Sequence, residues 1–195
     1  MQLLCTEERH TSGGPGHFLL ARCEDALPGL IQDYSGRVQL IYLDPPFGTG
    51  DVFRIQPSAQ YRGGTVPLFY DTLEPDAYLA WMRDILSGCH ELLSDSGSLY
   101  LHIDYRMSAQ LRILLDEIFG AKNFMNEIVW CYKSGGRSLR HFPRKHDTIL
   151  FYRKSAGVYF DIQSVGAPRG PEKRNHMKRY VDENGRVCFS IRSGG

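Results

Sequence analysis

Asp44-Pro45-Pro46-Phe47 is the segment of this chain best equipped for chemistry. Two consecutive prolines fix φ and stiffen the turn. The Asp44 carboxylate and the Asp–Pro and Pro–Pro carbonyls are thereby held as converging acceptors beside the flat apolar face of Phe47. A planar ring bearing an exocyclic NH2 satisfies both features, and adenine N6 and cytosine N4 are such groups. Their lone pairs are delocalised into the ring, which makes them poor nucleophiles. Acceptors that take the amino hydrogens favour a pyramidal nitrogen and free the lone pair for attack on an electrophilic methyl group.

Such a turn needs a rigid element behind it. Val38-Gln39-Leu40-Ile41-Tyr42-Leu43 is a mostly apolar run that stops at the prolines, as a buried strand does when its ladder donors are withdrawn. Asp44 then sits at a strand's carboxyl end, where open α/β sheets bind their ligands. Upstream, Phe18-Leu19-Leu20-Ala21 reads as a neighbouring strand, and Glu24 to Tyr34 as a short helix or turn interrupted at Pro28-Gly29. Residues 48–72, with Gly48, Gly50, Pro57, Gly63, Gly64 and Pro67, read as a long loop.

Between Asp76 and Leu93 the apolar residues recur at three- and four-residue steps, predicting an amphipathic helix ended by Ser94-Asp95-Ser96-Gly97. Ser98 to Ile103 reads as a strand. Met107, Leu111, Leu114, Leu115, Ile118 and Phe119 mark a second helix closing near Gly120. Strand, helix, strand, helix is the pattern of an α/β protein with a mostly parallel sheet and helices on both faces. Two further strands are expected at Glu127–Tyr132 and Asp147–Tyr152, separated by a Gly- and Arg-rich stretch. Beyond Lys154 the sequence turns polar and basic, and Asp182-Glu183-Asn184-Gly185 reads as a tight turn using positive φ at Asn-Gly.

With 195 residues, 42% hydrophobic and 23% charged, the chain is sized for one core, or one core plus an appendage. The net charge of +1 conceals an uneven division. Residues 1–120 carry 8 Arg and no Lys against 16 acids, whereas residues 121–195 carry 15 Lys and Arg against 6 acids. That asymmetry reads as an acidic body joined to a basic segment suited to a polyanion, with an ordinary solvated face as the alternative. Five scattered cysteines with no C-x-x-C pair read as thiols of a reducing compartment, and no metal site is expected. The absence of an 18-residue apolar run or a signal-like start points to a cytoplasmic chain. No H-x-E or H-E-x-x-H arrangement supports a zinc deaminase or protease, and no Pro-Cys dipeptide supports a cysteine-nucleophile enzyme.

The run Leu43-Asp44-Pro45-Pro46-Phe47-Gly48-Thr49-Gly50 resembles the D-P-P-[YF] catalytic loop of amino-group DNA methyltransferases. Gly97 to His102, Asn123 to Trp130 and Lys145 to Tyr152 follow it in the order of the permuted β-type members of that family. The resemblance covers most of residues 18–195. It implies a Rossmann-like S-adenosylmethionine-dependent fold, with a catalytic core over residues 1–154 and the start of a target-recognition region over 155–195. No F-x-G-x-G cofactor loop follows residue 50, so the chain is expected to be an incomplete, C-terminally truncated member. At Gly48 close relatives carry Asn more often.

The implied activity is methyl transfer from S-adenosylmethionine to adenine N6 in DNA, with cytosine N4 or a non-catalytic DNA-binding fragment as the alternatives. Asp44 and the Pro45 carbonyl would bind the target amino group, Pro46 would stiffen the loop, and Phe47 would stack on the base. Because the duplex hides the amino nitrogen, the base must be rotated out. A second stacking aromatic is sought in Phe151 or Tyr152, with core filling as the alternative. Glu24 or Asp25 would lie near the cofactor's adenine end. Arg137, Arg140, Arg144 and Lys145 form the expected phosphate-contacting segment, with a solvated loop as the alternative. His102 reads as a structural histidine or a pocket lining. A restriction subunit or a second copy of the chain is the expected protein partner.

Overall fold

A computed structural model of the chain describes residues 6–11, 14–48, 50, 52–55, 65–70, 73–132, 139–165, 177–185 and 187–191. The chain divides into two units, Met1–Tyr159 and Phe160–Gly195. In the first, β1 (Thr6–Thr11) and β2 (Gly14–Leu19) form an antiparallel pair, followed by α1 (Cys23–Tyr34) and β3 (Val38–Leu43). A second antiparallel pair, β4 (Val52–Ile55) with β5 (Val66–Tyr70), leads to α2 (Pro75–Leu92) and β6 (Leu93–Asp104). Then come α3 (Ser108–Leu115), a π-helical turn at Asp116–Gly120, a 3-10 turn at Ala121–Asn123, β7 (Phe124–Cys131) and β8 (His146–Arg153). The second unit holds α4 (Ile162–Val165) and the antiparallel pair β9 (Met177–Val181) and β10 (Val187–Ile191).

The central sheet has the order β3-β6-β8-β7. β3 and β6 are parallel, as the intervening α2 requires, and β8 runs antiparallel to both β6 and β7. Three strands therefore share one direction and β8 is the reversed insertion. Its sequence explains its central place. Thr148, Leu150, Phe151 and Tyr152 are all buried, the near-continuous burial of a strand covered on both sides, whereas the sequence of β7, with Asn126 and Glu127, is that of a solvated edge.

α2 starts with Pro75 at its first turn and carries Asp76 there and His90 in its last turn, each placed to complement the helix dipole. Its apolar stripe (Tyr78, Met82, Ile85, Leu86, Cys89) buries against Leu99, Leu101 and Ile103 of β6 and the Leu111 and Leu115 side of α3. Each fully buried aliphatic side chain there is worth about 1.5–3 kcal/mol. On the opposite face of β3, Leu40 and Tyr42 are 58% and 53% exposed.

Several local expectations are corrected. Residues 18–21 are not a neighbour of β3: β2 ends at Leu19 and pairs with β1, the partner closest to it in the chain. α1 is not interrupted at Pro28, which lies inside a continuous helix. The proline removes one donor, but α1 is held by packing on α2, where a Cβ at Gly88 would lie 2.8 Å from Leu27 Cγ. The 48–72 loop contains β4 and β5. In the last turn Gly185 alone takes positive φ (76°), while the Asn184 N–H donates to Asp182 Oδ1 at 3.0 Å. Nor are the acidic and basic halves separate bodies, since β7 and β8 from the basic half complete a sheet begun by β3 and β6.

Candidate active site

β3 delivers its last residue, Leu43, next to Leu101 of β6 in parallel register, so Asp44 emerges beside His102. The turn that follows is pinned from α2. The Tyr78 hydroxyl, on a side chain 1% exposed, donates to the Pro46 carbonyl at 2.7 Å. Gly48 adopts φ of 66°, a left-handed conformation, and packs 3.4 Å from Met107 Cγ measured from an ideal Cβ. Glycine takes this conformation without the penalty that a Cβ brings. Pro45 is buried, Pro46 exposed and Phe47 half-buried against the core.

The Asp44 side chain is 58% exposed, and its Oδ1 lies 3.3 Å from His102 Nδ1. Phe47 meets the same imidazole edge-on, with centroids 5.4 Å apart. On the far side of that ring, Nε2 is 3.4 Å from Asp147 Oδ2. Burial, together with the negative charges of Asp44 and Asp147, raises the Tyr42 phenol above its ordinary range.

Asp44, Pro45 and Pro46 form one wall of a cleft of about 740 Å³, within the range typical of small-molecule sites. Leu73, Ala77, Tyr78, Trp81 and Ile85 supply apolar walls, and Arg22, Cys23 and Glu24 close it from the start of α1. Glu24 thus shares a cleft with Asp44. Its carboxylate pairs with Arg22 and accepts from Trp81 Nε1 at 3.4 Å, and its pKa is lowered, chiefly by a backbone hydrogen bond. Asp25 is exposed and does not line the cleft, because the helical turn points successive side chains about 100° apart.

In the basic segment, Arg140 and Arg144 are exposed and Lys145 is half-buried. Arg144 donates to the Tyr105 hydroxyl at 3.2 Å, its guanidinium over that ring. Arg137 lies outside the described residues. Neither Phe151 nor Tyr152 is free to stack on a base: Phe151 is buried and stacked on Tyr100 at 4.4 Å, and Tyr152 is fully buried. Both belong to the core because β8 is an interior strand.

Sequence reasoning missed Tyr78, Trp81 and Asp147, which reach the site from distant elements. The signal for His102 was present: aligning Val38–Leu43 with Ser98–Ile103 as adjacent parallel strands sets their carboxyl ends side by side.

An α/β sheet thus presents Asp-Pro-Pro-Phe at a strand's carboxyl end, at the wall of a cleft. The chain belongs to the N6/N4 DNA methylase family, whose model matches residues 38–191. The type II methyltransferase M.EcaI of Enterobacter cloacae is 38% identical over 141 residues, covering 72% of this chain and 29% of that protein. The probable type III restriction-modification enzyme HindVI Mod subunit of Haemophilus influenzae is 32% identical over 134 residues, covering 67% of this chain and 16% of that protein. This chain therefore spans less than a third of either relative. Among solved structures, the cytosine-N4-specific PvuII DNA methyltransferase superposes with a TM-score of 0.47 at 16% identity, over 71% of this chain and 51% of its own.

Proposed function

We propose that this chain carries the base-handling part of a DNA methyltransferase that uses S-adenosylmethionine to methylate adenine N6. The observation that carries the reading is the Asp44 carboxylate, rigidly mounted yet 58% exposed at the edge of a cleft. Asp44 and the Pro45 carbonyl take the hydrogens of the amino group, Pro46 is fixed by Tyr78, and Phe47 stacks on the base rotated out of duplex DNA. Cleft walls of Trp81, Tyr78 and Leu73, with the Glu24 carboxylate at the α1 end, suit a cofactor that is part aromatic and part hydroxylated. S-adenosylmethionine supplies the electrophilic methyl group when bound. Asp25 drops out of the cofactor set on its exposure.

Arg140, Arg144 and Lys145, together with Arg137, serve as phosphate contacts, and residues 155–195 begin the target-recognition region. Like its relatives, the chain would act in a restriction-modification setting, with a restriction subunit or a second copy as partner. No helix among the described residues is long and apolar enough to cross a membrane, in keeping with a cytoplasmic site of action.

The test is methylation by the full-length protein followed by digestion of the DNA to nucleosides. N6-methyladenine is expected; N4-methylcytosine would move the substrate to cytosine, and neither product would reduce the chain to a DNA-binding role. Asp44→Ala is expected to abolish transfer while DNA affinity stays within about threefold, since the carboxylate acts on the reacting amine rather than on phosphate. Unchanged turnover would remove Asp44 from the site.

A further inference from the structure

Only one buried side-chain polar atom lacks a hydrogen-bond partner among the described residues, and it is His102 Nε2. Nδ1 lies 3.3 Å from Asp44 Oδ1 and Nε2 3.4 Å from Asp147 Oδ2, so the ring stands between two carboxylates. Each ring nitrogen meets a carboxylate oxygen, which an N–H satisfies and a lone pair would repel, so a proton on Nδ1 serves Asp44 and one on Nε2 serves Asp147.

The ring is well placed to steer its neighbour. Its side chain is 19% exposed and is wedged between the edge contact with Phe47 and a tilted contact with Tyr42 at 6.2 Å. Asp147 behind it is in turn held by the Tyr132 hydroxyl at 3.3 Å. Asp44, by contrast, is mounted on a stiff backbone but keeps two rotatable bonds in an exposed side chain. Prolines fix where the carboxylate starts, not which way its oxygens point.

We propose that His102 is the positioning residue for Asp44: its Nδ1–H donates to Oδ1, turning Oδ2 toward the target amine, with Asp147 and Tyr132 backing the ring. This rests on the methyltransferase reading above, and it assigns to His102 no contact with the base itself.

Two measurements decide it. In the full-length protein, long-range 1H–15N spectra with 15N-labelled histidine should show a proton on His102 Nδ1, and Asp44→Ala should shift it toward Nε2. A proton on Nε2 alone in the unmodified protein overturns the proposal. In the full-length protein, His102→Phe keeps the aromatic volume and removes the donor, and should lower kcat about tenfold with little change in DNA KM or Tm. His102→Asn, which restores a donor near Nδ1, should recover most of that loss. If His102→Phe turns over normally, or His102→Asn is as slow as His102→Phe, the positioning role is wrong. Absence of transfer by the unmodified protein would instead strike the methyltransferase reading, while the spectra still decide whether His102 donates to Asp44.

Discussion

A carboxylate that acts on an amine must be both reachable and fixed, and at the residue scale these demands fall on different side chains. Asp44 is reachable because β3 ends where it does. It is fixed in part by Pro45 and Pro46 and in part by Tyr78, whose phenol reaches up from α2 to the Pro46 carbonyl. Tyr78→Phe leaves the ring's packing intact and deletes one hydrogen bond, so the expected stability loss is about 1 kcal/mol by denaturant melting. Loosening the turn should cost kcat several-fold more than that modest loss implies, with DNA affinity unchanged in a filter-binding titration. A variant with full turnover would show that the prolines alone hold the turn.

At the scale of elements, the stretch joining β7 to β8 carries the DNA reading. Arg140 and Arg144 are exposed at the sheet end from which Asp44 emerges, and Arg144 is steadied by Tyr105. If each meets one phosphate, Arg140→Gln and Arg144→Gln together should flatten the log–log salt dependence of binding by about 1.8, that is about 0.9 per contact. An unchanged slope would place the DNA surface elsewhere. Element-level reasoning also explains the failure of Phe151 and Tyr152 as stacking candidates. An aromatic on an interior strand is claimed by the core before a ligand can claim it, and nothing in the residues themselves announces that β8 is interior until its pairing is known.

Across the whole molecule, the sheet mixes the acidic and basic halves of the sequence, and one of the joins that results is His90 of α2 against Lys154, just past β8. Lys154 donates to the His90 carbonyl, and burial, aided by the lysine's charge, lowers the His90 pKa. The neutral ring is thus favoured in the folded state. Its contribution to stability is intact above the ordinary histidine value of about 6.5 and is lost as pH falls through the folded pKa, because the unfolded chain binds the proton first. Urea midpoints should drop between pH 7.5 and 5.5, and the drop should be smaller in His90→Asn. Equal drops in both proteins would assign the pH dependence to other groups.

The sequence by itself determined what depends on consecutive residues and short periods: the strand ending at Leu43, the acidic turn with its two prolines, the stripe of α2, and family membership through Asp44-Pro45-Pro46-Phe47. These are local properties, set by φ restriction and by which side chains recur on one face. Only the tertiary structure decided that Tyr78 anchors the turn, that Glu24 rather than Asp25 shares its cleft, that His102 and Asp147 line up behind Asp44, and that β8 enters between β6 and β7. Each of those depends on strand register and helix packing between residues 15 to more than 100 positions apart, and pairing over such separations is set by the burial of whole faces, which no short stretch of chain encodes.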